Sequence, residues 1–89
     1  MNTTTILRPR PVLSAVEATR LRKNFKWVVE DGDNCLIVDL TGVRELSAAG
    51  LAAVTNLLAQ GRRIGITVRV LMPEEGSEAD RIIDQADLR

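Results

Sequence analysis

The chain has 89 residues, 45% apolar and 27% charged, and its 12 basic and 12 acidic side chains cancel to a formal charge of zero. That length makes one domain, residues 1–89, with a modest core and no room for a second. A neutral chain whose only aromatics are Phe25 and Trp27, and which lacks histidine, has no field to attract nucleic acid or an anionic membrane, no base-stacking platform, and neither the commonest general base nor the commonest metal ligand.

Thr3-Thr4-Thr5-Ile6-Leu7 is rich in β-branched residues and predicts a short strand. Pro9 and Pro11 follow. Neither donates a ladder hydrogen bond, so the segment reads as an edge or a turn, with a strand fragment at Val12-Leu13. Such an edge either pairs with a second copy of the chain, giving a homodimer, or is protected by its own prolines. Ser14 with Glu17 three residues on forms the pattern of a capping box and opens a first helix. Its apolar stripe is Ala18, Leu21, Phe25 and Val28, with Arg20, Arg22, Lys23 and Lys26 on the other faces. Those cations read as a solvated surface before a docking face. Asp31-Gly32-Asp33-Asn34 has turn chemistry and ends the helix.

Cys35 to Leu40 is a continuous apolar run broken only by Asp39, which suits a strand covered on both faces in a parallel sheet. A second helix is expected from Ser47 to about Gln60, with Leu51, Val54, Leu57 and Leu58 buried and Gly61 as its stop. Ile66 to Leu71 predicts a strand, Met72 to Gly76 a loop, and Ser77, with Asp80 three residues on, the cap of a third helix that buries Ile82, Ile83 and Ala86. Strands alternating with helices predict a small α/β domain: a mixed, mostly parallel sheet of about four strands with helices packed on it.

Several chemical readings fall away. Glu30, Asp31 and Asp33 lack the hard-cation loop pattern, so no metal site is expected. The glycines make no phosphate-binding loop, and no cofactor is expected. Cys35 alone permits no internal disulfide and reads as a small buried hydrophobe. No apolar run reaches the length of a membrane span, and Met1 to Thr5 carry no signal-peptide pattern, so the chain is expected in the cytoplasm without direct membrane insertion. Asp39 has no histidine partner for acid–base work, so no enzymatic activity is expected.

Three segments together resemble a known family. They are Leu36-Ile37-Val38-Asp39-Leu40-Thr41-Gly42-Val43; Gly50-Leu51-Ala52-Ala53-Val54 with Leu57-Leu58 and Gly61-Arg62-Arg63-Ile64-Gly65-Ile66; and Val68-Arg69-Val70-Leu71 with Pro73 and a last helix ending at Leu88. Their order and spacing, over Ser14 to Leu88, are similar to those of the STAS domains, the anti-sigma factor antagonists. In that family an aspartate, a phospho-accepting serine and a further small polar residue precede Gly-Leu. Aligned on Gly50-Leu51, they fall on Ser47, Ala48 and Ala49. The resemblance implies a docking domain in a partner-switching system, with an anti-sigma factor or kinase-like regulator as protein partner. It implies equally an accessory subunit of a transporter or lipid-trafficking complex. The contact surface it implies is Thr41, Ser47, Ala48, Ala49, Gly50, Leu51 and Val54. Ala48 has no hydroxyl, so phosphorylation at the usual position is impossible. Ser47 is the candidate displaced acceptor, although an N-cap role accounts for a serine there. Apart from the resemblance, Trp27 beside the apolar stripe of the first helix reads equally as an interface anchor or as a partly buried side chain with no partner.

Overall fold

The computed structural model describes residues 3–86. The elements run β1 (Thr4–Leu7), β2 (Val12–Leu13), α1 (Ala15–Glu30), β3 (Cys35–Asp39), β4 (Glu45–Leu46), α2 (Ala48–Ile64), β5 (Thr67–Leu71) and α3 (Glu78–Gln85). The five strands divide between two sheets. Three form a sheet in the order β1-β3-β5, and β2 pairs with β4 in a second, two-stranded sheet. Every pairing is parallel, with Thr4 opposite Cys35, Cys35 opposite Thr67, and Leu13 opposite Leu46. Parallel strands need long crossovers, and α1 and α2 supply those of the larger sheet. The α/β class and the helix order agree with the sequence. The division into two sheets was invisible to it, because β4 has only two residues and shows no alternation.

One core joins the elements. Leu13, Ala18, Leu21, Phe25, Val28, Leu36, Val38, Leu40, Val43, Leu46, Ala53, Val54, Leu57, Ile66, Ala79 and Ile83 are all buried in a single cluster. The stripe expected on α1 is buried in full. Ser14 caps α1 as expected, its hydroxyl accepting from the Glu17 N–H. The reciprocal half of the capping box is absent. The Glu17 carboxylate instead accepts from the Arg10 backbone N–H at 3.0 Å and neighbours Arg10 and Arg20. Glu17 thereby ties the proline-bearing segment to α1.

Three further expectations are corrected. First, α2 does not stop at Gly61. It continues to Ile64 and ends at Gly65, whose φ of 85° is left-handed. Gly61 lies inside the helix, where an added Cβ would collide with Val68. Second, β3 is not covered on both faces. Leu36, Val38 and Leu40 are buried, whereas Cys35, Ile37 and Asp39 are half-buried on the far side of the sheet. Cys35 is therefore only partly shielded. Third, α3 buries Ala79 and Ile83, leaves Ile82 half-buried, and leaves Ala86 exposed. Leu88, the expected end of the last helix, lies outside the described residues.

Candidate functional site

The start of α2 is built by the small sheet. The Pro11 carbonyl accepts from the Arg44 and Glu45 N–H groups at 2.8 and 3.2 Å, which sets β4 beside β2. Ser47 follows β4 directly, and its N–H donates to the Leu13 carbonyl at 3.1 Å. The Ser47 hydroxyl does two things at once. It accepts from the Gly50 N–H at 3.0 Å, which caps the helix, and it donates to the same Leu13 carbonyl at 2.8 Å. Three residues on, Gly50 packs straight onto that strand. A Cβ at this position would lie 2.5 Å from the Leu13 oxygen, closer than any real contact. The glycine is there because α2 and β2 approach so closely.

The preceding loop is held from two sides. Val43 is buried and its N–H donates to the Leu40 carbonyl, while the Ala79 N–H in the first turn of α3 donates to the Arg44 carbonyl at 3.2 Å. At the end of β3, Asp39 accepts from the Thr41 hydroxyl at 2.6 Å, the Thr41 N–H at 3.0 Å and Arg8 Nε at 3.1 Å. The Thr41 hydroxyl, followed by its backbone N–H, holds the Asp39 carboxyl below the usual carboxylate range; partial burial pushes the other way, and Arg8 adds to the lowering. Asp39 thus closes the loop that carries Thr41 and pins Arg8 across the sheet.

These contacts sort the expected site residues. Thr41 and Ala48 are exposed, and Ser47, Ala49 and Leu51 are half-buried. Gly50 and Val54 are buried, with Val54 only 2% exposed, so they fix the helix from inside. The outward face of α2 continues from Ala48 through Ala52 and Thr55, both exposed. Sequence reading missed these two, although helical spacing of four and seven from Ala48 places them on one face. No acidic residue occurs in the first turn of α2. Elsewhere, Asp33 is buried and accepts from the Thr5 hydroxyl, which makes it part of the sheet's end. Trp27 is 68% exposed.

The fold is thus a small parallel α/β domain that presents a capped, uncharged helix start, with its loop fixed by strand and helix together. The model of the STAS domain family matches residues 2–88, and the chain belongs to that family. STAS domains in general mediate protein–protein interaction and are non-catalytic, so the chain is an anti-sigma factor antagonist-like or STAS-type module. No curated protein and no solved structure matches the chain. Among the described residues no helix is long and apolar enough to cross a membrane.

Proposed function

We propose that this domain is a non-catalytic docking partner in a partner-switching regulatory system, and that it binds through Thr41 and the first two turns of α2. The observation that carries the reading is the character of that surface. Ala48, which the resemblance puts at the position of the family's phospho-acceptor, stands outward beside Ala52 and Thr55, with no charge in the turn. Small uncharged side chains let a partner's backbone approach closely. A phosphate at this helix start would bring about −1.5 to −2 charge into such an interface, and Ala48 removes that off-switch. The Ser47 hydroxyl is shared between the Leu13 carbonyl and the Gly50 N–H, which supports an N-cap role there over that of a displaced acceptor.

A second reading, a permanent accessory subunit of a transporter or lipid-trafficking complex, draws on Val12, half exposed close to the same region, and on Val16, 78% exposed. Permanent interfaces are more apolar than transient ones. Affinity capture from native extract tests both readings, with wild type run beside an Ala48→Asp, Ala49→Asp variant. A kinase-like or transporter-type partner held by the wild type and lost by the variant supports docking at the helix start, and the partner's class chooses between the readings. Equal capture by both proteins moves the interface elsewhere.

A further inference from the structure

At the other end of α2, roughly 20 Å from Ser47 at 1.5 Å per residue, a groove of about 510 Å³ lies between α1 and α2. Both helices connect parallel strands, so they run the same way and their C-terminal halves line the groove together. Phe25 and Leu57, both core residues, make its floor. Val29 and Ile64, 38% and 51% exposed, make its walls.

Its charge is one-sided. Arg22 and Lys26 stand on the α1 side and Arg63 on the α2 side, the other polar lining groups are amides, and no carboxylate lines it. In a chain with 12 acids for 12 bases, this is a local separation of charge. None of the three cations is in an ion pair among the described residues. The two helix C-termini contribute only about half a negative charge each, so the three full cations dominate the local field.

We propose that this groove is a docking site for an acidic amphipathic helix of a partner protein. The lining recurs once per turn on both helices, at 22, 25/26 and 29 on α1 and at 56/57, 60 and 63/64 on α2. A third helix lying between two others meets such rows with apolar residues at i, i+3/i+4 and i+7. Its flanking carboxylates then reach Arg22 and Lys26 on one side and Arg63 on the other. A small anionic amphiphile is disfavoured because Val29 and Ile64 stay exposed along the walls, whereas ligand pockets enclose most of a small molecule's surface. The site is independent of the docking surface proposed at Ser47 and Ala48.

The probe is a fluorescein-labelled synthetic peptide of about 14 residues, roughly 20 Å as a helix. It carries leucine at i, i+4, i+7 and i+11 with glutamate at the flanking positions, and its counterpart has every glutamate replaced by lysine. Binding to the full chain is read by fluorescence anisotropy. The acidic peptide is expected to bind at least tenfold more tightly than the basic one, and to weaken severalfold between about 0.05 and 0.3 M salt as the charges are screened. An Arg22→Glu, Lys26→Glu, Arg63→Glu variant, with far-UV circular dichroism matching wild type, is expected to lose the acidic peptide by at least tenfold and to prefer the basic one. Equal binding of the two peptides, wild-type affinity in the triple variant, or no binding of the acidic peptide overturns the proposal. If dodecanoate binds and the acidic peptide does not, the groove belongs to a small amphiphile instead.

Discussion

At Ser47 one hydroxyl closes two hydrogen bonds, and this distinguishes the site from a simple helix cap. Ser47→Ala loses both the cap and the bond to the Leu13 carbonyl, and is expected to lower stability by about 1–2 kcal/mol. Ser47→Asp installs the residue type that the resemblance implies for this position, yet it is expected to remain below wild type in thermal melts. A carboxylate accepts from the Gly50 N–H but has no proton for the Leu13 oxygen 2.8 Å away. A melting temperature for the aspartate variant equal to wild type would show that only the cap matters. Asp39 gives a pH signature. Its carboxyl is depressed in the folded state, so its stabilisation is fully present above the unfolded carboxylate range and is lost as pH falls through the lower folded value. The melting-temperature gap between wild type and Asp39→Asn is therefore expected to persist at neutral pH and to narrow only as pH falls below the ordinary carboxylate range. A gap independent of pH would assign the role of Asp39 to packing.

The length of α2 shows what is legible in a sequence at the scale of an element. Periodicity through Leu57 and Leu58 announces the helix, and Gly61 is the first glycine past that stripe, so it reads as the stop. Two facts that no periodicity carries decide otherwise. Val68 on β5 leaves no room for a Cβ at residue 61, and Gly65, not Gly61, adopts a positive φ, with its N–H bonded to the Gly61 carbonyl. Gly65→Ala is expected to lower stability by about 1–2 kcal/mol through its left-handed backbone. Gly42→Ala, with open space around it and no positive φ, should stay within about 0.5 kcal/mol of wild type. Equal melting temperatures for both variants would contradict this placement of the helix end. The same logic covers the rest. The stripes of α1 and α3 and the caps Ser14, Ser47 and Ser77 follow from local chemistry. By contrast, β4 exists only through its long-range pairing with β2. The Cys35–Leu40 run reads as doubly covered because apolar residues also occupy the half-buried face of β3. At the candidate site, Thr41 and Ala48 are legible as surface once the segment is aligned. The burial of Gly50 and Val54 depends on how α2 sits against β2 and the core.

Across the whole molecule, the loop before α2 and the last helix share one core and one backbone anchor. Ile83 on α3 is 1% exposed and belongs to the same buried cluster as Leu13 and Leu46, the residues under the start of α2. The first turn of α3 also holds the Arg44 carbonyl in the loop before α2. A domain of this size has a total stability of roughly 4–13 kcal/mol, at 0.05–0.15 kcal/mol per residue. Ile83→Ala, a full truncation in a dry core, is expected to remove about 2–5 kcal/mol of it. Because one core serves every layer, that loss should move the whole urea transition to lower denaturant while leaving it a single cooperative step. Far-UV circular dichroism is the right probe. Trp27 is already 68% exposed in the folded chain, so its emission changes little on unfolding. A separate early transition in Ile83→Ala, with the main midpoint unmoved, would make α3 an independent unit. The loop before α2 would then keep its shape without it, and the Arg44 anchor would not be needed to hold the surface around Ala48.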